Sequence, residues 1–146
     1  MKLLNKKQKN NKGFSLVELI VVIAIMVVLV AVLAPVFTRY IESSRRSTDV
    51  QNATALKEAV MADVSDEKIV KPQSGDTITK TVAVTDDLPS SVGEVPKAKG
   101  DKVKKGDTFT YEYNFANNTC TVYLTSDSDK HDLSTDGGAQ WYKSND

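Results

Sequence analysis

Between Glu18 and Arg39 the chain carries no charge, and every one of the 19 residues from Leu19 to Phe37 is apolar or is Pro35. As a helix rising about 1.5 Å per residue, such a run comes close to the ~30 Å hydrocarbon thickness of a bilayer. It is built of Val, Ile, Leu, Ala and Met. The β-branched residues weaken a helix in water, but in lipid an unsatisfied backbone group is costly enough that helix wins. A segment of this kind is predicted to engage a membrane, and the rest of the chain must be arranged around it.

Charge gives that segment a direction. The first 13 residues hold Lys2, Lys6, Lys7, Lys9 and Lys12 and no acid, a net of +5. The remaining residues hold 14 basic and 19 acidic side chains, a net of −5, so the overall zero conceals two opposite halves. Lysines on one flank of an apolar helix hold that flank in the cytoplasm, and residues beyond Phe37 are then expected outside. The run is longer than the ~7–15 apolar residues of a secretory signal, and a helical pattern continues after it.

Composition also excludes chemistry. One cysteine, Cys120, allows no internal disulfide and no CxxC site, and one histidine, His131, allows no zinc site built on several imidazoles. No nucleophile–base pair, phosphate loop or metal cluster is apparent, so neither an enzyme nor a cofactor is expected. Asp127, Asp129 and Asp132 are spaced like calcium ligands, but His131 falls at the third ligand position and Asp132 at the invariant glycine of an EF-hand loop. Lys97, Lys99, Lys102, Lys104 and Lys105 form a basic stretch with few aromatics inside an acidic segment, which argues against nucleic acid. Glu18 stands out differently, because an acid at the head of a membrane segment is expensive and marks a functional position.

The run Lys12-Gly13-Phe14-Ser15-Leu16-Val17-Glu18-Leu19-Ile20-Val21-Val22-Ile23-Ala24-Ile25, with Pro35 beyond it, resembles the signature of type IV prepilins. The resemblance covers roughly residues 6–40. It implies a basic leader over 1–13, removed by prepilin peptidase between Gly13 and Phe14, and N-methylation of the new Phe14 amine. It implies further that this amine pairs with Glu18 of a neighbouring subunit, so that one register of packing is favoured during assembly. A proline at 35 removes a backbone donor and is expected to kink or loosen the helix there.

The apolar run passes into an amphipathic pattern without a breaker. Arg39 to Val64 contains no Gly or Pro, and Val50, Ala53, Leu56, Val60 and Val64 share a face, with Glu42, Arg45, Arg46 and Asp49 expected in solvent. One helix over about 15–64 is predicted, its 14–37 part in the membrane or filament core and its 38–64 part packed on an extracellular head of residues 65–146. In that head Thr77–Val84 reads as a strand and 86–106 as a loop. Phe109 to Leu124 reads as a hairpin turning at Asn117-Asn118, with Phe115 opposite Cys120, Tyr113 opposite Val122 and Tyr111 opposite Leu124 on the core face. The tail from Ser126 is acidic and turn-rich, with Trp141-Tyr142 expected to cap the sheet.

The expected fold class is therefore α+β and pilin-like: a long N-terminal helix packed on a small antiparallel sheet. With no cysteine pair, the resemblance is to Gram-positive type IV pilins or pilin-like proteins. It implies a major or minor pilin whose partners are copies of itself, other pilins, prepilin peptidase and the pilus assembly platform. Such a subunit is single-pass in the cell membrane before assembly and in a surface filament after it, where adhesion and twitching motility are the associated activities. Two alternatives fit the same residues: a pseudopilin of a type II secretion or competence DNA-uptake system, and a signal-anchored surface binding protein that forms no filament.

Overall fold

Ser15 opens the first element. Its hydroxyl accepts the backbone N–H of Val17 at 3.4 Å, while the Glu18 carboxylate turns back to accept the Ser15 N–H at 2.9 Å. The Glu18 contact is the glutamate half of a Ser-x-x-Glu capping box, the Ser15 hydroxyl caps the N–H two residues on, and a helix starts at the next residue. The computed structural model describes residues 13–83, 88–102 and 106–144. The leader lysines, Val84 of the expected strand, and Lys104 and Lys105 lie outside the described residues.

Helix α1 spans Leu16–Ser65 and passes through Pro35. Strands β1 (Thr77–Val82), β2 (Phe109–Asn114) and β3 (Thr119–Leu124) follow, and then helix α2 (Asp136–Lys143). The chain divides into two units at the Thr38/Arg39 junction within α1. In the first unit every described residue is exposed, including the whole apolar run. Proline cannot donate to the carbonyl one turn before it; the Pro35 carbonyl itself accepts the Thr38 hydroxyl at 3.0 Å.

The second unit is an antiparallel sheet in the order β1-β2-β3, with the Arg39–Ser65 part of α1 across one face. Ala53, Leu56 and Val60 of the helix share a core with Val82, Phe109, Tyr111, Tyr113, Cys120, Val122, Leu124, Leu133 and Tyr142. The opposite face is polar, with Thr81, Thr110 and Thr125 in a row of hydroxyl hydrogen bonds of 2.9 and 2.8 Å. At the free edge of β3 the tail takes the place of a fourth strand: Leu133 N–H donates to the Val122 carbonyl at 2.8 Å, and the Asp132 carboxylate accepts Val122 N–H at 3.1 Å. Covering an edge in this way blocks unwanted strand addition.

Four expectations require correction. The hairpin pairs Tyr111 with Val122 and Tyr113 with Cys120, two residues out of the expected register, and Phe115 leaves the strand. The reason is the turn. A two-residue turn of the expected kind needs both asparagines at positive φ, but only Asn118 adopts it, at 56°. The connection is instead a four-residue loop from Phe115 to Asn118, in which Asn114 Oδ1 accepts Ala116 N–H at 2.8 Å and the Phe115 ring meets Tyr113 edge-on at 4.8 Å. A shift of two keeps each side chain on its face, so the core set survives the slip.

Second, β1 ends at Val82, and Ala83 is outside the sheet. Third, the tail is not all turns, since Asp136–Lys143 forms α2. Thr135 caps it by accepting Gly138 N–H at 3.3 Å, and Asp136 in the first turn complements the helix dipole. Fourth, Arg46 and Asp49 are not solvated but buried, at 8% and 0% exposure. The buried face of α1 runs Arg46, Asp49, Ala53, Leu56, Val60, Asp63, a three-four alternation that includes charged residues.

Candidate functional site

The motif residues lie at the start of α1. Gly13 and Phe14 precede the helix and are exposed, Phe14 at 86%, and a Cβ built on Gly13 would meet no atom within 4 Å. A peptide bond outside regular structure and flanked by a residue without a side chain leaves its carbonyl open to attack. Glu18, one turn on, is held by its own Ser15 N–H. The Ser-x-x-Glu pattern in the sequence is the signal for that contact. Pro35 lies 17 positions beyond Glu18 in the same exposed run.

A second constellation was not anticipated. The buried Asp49 carboxylate accepts Lys99 N–H at 2.8 and 2.9 Å, Gly100 N–H at 2.7 Å and the Tyr142 hydroxyl at 2.8 Å. One helical side chain thereby holds the 97–102 loop and α2 together. Arg46, one turn earlier, donates to Asp101 at 2.6 Å and to the Ser144 carbonyl at 2.8 Å, and lies 3.7 Å from Glu42. Glu42 in turn accepts Asp101 N–H at 2.6 Å. The approach is close enough to require glycine at 100, where a Cβ would come within 2.7 Å of the Tyr142 hydroxyl and 2.8 Å of Arg46 Cγ. Burial first, and the adjoining Asp49 carboxylate second, push the Tyr142 phenol far above its ordinary range. The Arg46 hydrogen bond holds the Asp101 carboxyl below its own. A buried carboxylate with three N–H and O–H donors to satisfy it is a structural clasp rather than a reactive acid.

Asp127, Asp129 and His131 also come together, with potential ligand atoms within 4.8 Å of one another. Internal bonds account for this grouping. Asp127 accepts His131 N–H at 2.7 Å, contacts His131 Nδ1 at 3.0 Å and accepts Asp129 N–H at 3.1 Å, which closes the turn leading into α2. The His131 ring stacks on Trp141 at 3.7 Å, and Lys102 Nζ lies 5.5 Å from the centroid of the same indole. Tyr111, Tyr113, Cys120, Val122 and Leu124 are buried, and Phe115 packs against them half-buried. Burial pushes the Cys120 thiol up to about 11, so it is neutral and inert at physiological pH.

An uncharged, exposed helical run headed by Gly-Phe and a glutamate, attached to an α+β unit with a small antiparallel sheet, defines a chain of pilin-like fold. Residues 8–34 match the family model described as the prokaryotic N-terminal methylation motif. Among curated proteins the chain is 29% identical over 115 residues to "Prepilin peptidase-dependent protein A" of Clostridium perfringens (strain 13 / Type A), covering 74% of this chain and 82% of the relative. No solved structure matches it. The chain thus carries a prepilin-type N-terminus and is similar to a prepilin peptidase-dependent relative, which together support a pilin- or pseudopilin-like protein. The motif points to a structural chain rather than an enzyme, and with its apolar helix it fits anchoring in a membrane before assembly.

Proposed function

We propose that this chain is a subunit of a type IV filament. It enters the cell membrane with residues 1–13 in the cytoplasm, is cut after Gly13 by prepilin peptidase, and is methylated on Phe14. It is then drawn into a filament, where the 14–37 helix packs among copies of itself and other pilins above an assembly platform, and residues 65–146 face outward. Glu18 sets the register by meeting the Phe14 amine of a neighbour, because a carboxylate left unpaired in that low-dielectric core disfavours every other alignment. Pro35 supplies a weak point at which the packed helix adjusts.

The observation that carries this reading is the exposure of the entire apolar run, most of which the methylation motif itself covers. None of that window is buried within the molecule, so lipid or neighbouring helices must cover it. Intact mass and N-terminal fragment spectra of the protein from its native membrane test the processing. The expected product begins at N-methylated Phe14. A product that retains residues 1–13, or begins elsewhere, overturns the reading. Release of the cut protein by shear as filaments then separates a surface pilus from an envelope-retained pseudopilin.

A further inference from the structure

The loop that Asp49 holds also lines a cleft. It has a volume of about 410 Å³ and is formed by Asn52 of α1 together with residues 94–99, all within the second unit. That size sits at the small end of the ~300–1,000 Å³ usual for small-molecule sites. The lining backbone is tied down at several points. Asp49, three residues before Asn52, accepts the Lys99 and Gly100 N–H groups. Ala98 N–H donates to the Asp107 carbonyl and the Ala98 carbonyl accepts Gly106 N–H, each at 2.8 Å, while Lys97 bridges to Thr108. Val95 packs half-buried against the core. A cleft fixed in this way is preformed, which lowers the ordering cost of binding.

Its lining carries charge of both signs. Lys97 and Lys99 supply two cations, Glu94 one anion, and Asn52 a carboxamide that both donates and accepts, beside the apolar Val95, Pro96 and Ala98. Among the described residues, none of those four polar side chains has a hydrogen bond or an ion pair. Arg45, Lys68, Lys71 and Lys130, by contrast, each lie within 3.5 Å of a carboxylate. We propose that the cleft binds a short peptide of two or three residues with both ends free, its carboxylate against Lys97 and Lys99 and its amine against Glu94. Two cations favour a carboxylate over a neutral group, because charge-assisted hydrogen bonds are about twice as strong as neutral ones. Glu94 disfavours a ligand that is anionic at both ends and offers a partner to a cation. Glu94 and Lys97 are three positions apart, so their Cα atoms are separated by at most about 11 Å, close to the reach of an extended tripeptide. Asn52 can pair with a peptide group between the ends, and the apolar lining suits small side chains.

Trialanine is the probe, titrated into the full-length protein in detergent while its amide signals are followed by nitrogen-15 NMR. Saturable shifts are expected at the Asn52 carboxamide and along the Lys97–Lys99 backbone. N-acetyl-trialanine methylamide, which lacks both charges, should bind at least about ten-fold more weakly, the loss expected when charge-assisted bonds are removed. Lys97→Gln/Lys99→Gln should weaken trialanine by a similar factor, and Glu94→Gln should erase the preference for a free amine over an acetylated one. All three side chains are exposed, so both variants should keep the parental melting temperature, which verifies their folding. Equal binding of the free and blocked peptides overturns the proposal, as does trialanine binding that survives in the lysine double variant. Acetate that matches trialanine reduces the cleft to an anion patch and overturns it too. So does a folded parent protein that shows no saturable shift at these positions.

Discussion

Glu18 has a contact within its own chain as well as the role assigned to it between chains, and substitution separates the two. Gln can still reach back to the Ser15 N–H as a capping-box partner, but it carries no charge. Ser15→Ala keeps the charge and removes the hydroxyl side of the cap, a loss of about 1 kcal/mol of helix stability. If register is set by the carboxylate, Glu18→Gln is cut like the parent yet yields few filaments on shearing, while Ser15→Ala is cut and still assembles. Filaments from Glu18→Gln at the parental yield would reduce Glu18 to a cap. Asp49 is a different kind of acid. Asp49→Ala leaves two N–H groups and a phenol buried without an acceptor and is expected to cost about 3 kcal/mol in denaturant unfolding. Tyr142→Phe removes one donor and costs about 1 kcal/mol. The double variant should cost less than the two losses added, because both remove the same bond.

At the level of elements, α2 rests on two adjacent glycines with opposite requirements. A Cβ on Gly138 would lie 2.0 Å from the Asp132 carbonyl oxygen, whereas one on Gly137 would meet nothing within 4 Å. Gly138→Ala is therefore expected to displace α2 from the β3 edge and lower the melting temperature. Gly137→Ala should raise stability by about 0.5–1 kcal/mol through a stiffer unfolded chain. These glycines also explain why α2 was hidden in the sequence: two glycines beside an aspartate read as a turn, and the space that demands one of them is visible only in three dimensions. Helix α1 was legible because its apolar run is broken in composition by Pro35 alone and the amphipathic stretch from Arg39 to Val64 contains no Gly or Pro. The hairpin faces were legible because alternation survives a slip of two, while the register depended on which asparagine took positive φ. Arg46 and Asp49 run against the rule that charge marks the solvent side of a helix. Their partners at 99–101 and 142–144 are far away in sequence, and no local pattern announces them.

For the molecule as a whole, a single cysteine means that packing and hydrogen bonds hold the head without a covalent bridge. Reducing agents should leave its melting temperature in detergent unchanged. Alkali should not. The Cys120 pKa is raised in the folded state to about 11 by burial, so its contribution is complete below the ordinary thiol value of about 8.5 and is lost as pH rises through the folded one. Tyr142 is shifted in the same direction. Melting temperature followed upward from pH 8 should fall towards pH 11, and Cys120→Ala should flatten part of that slope. The clasp also imposes an order on synthesis. Tyr142 trails Asp49 by 93 positions, so a nascent polypeptide cannot latch its first helix until residue 142 has emerged. Products that stop short of Tyr142 lack the closing pin, and are expected to be cleared by proteases while chains that include it persist.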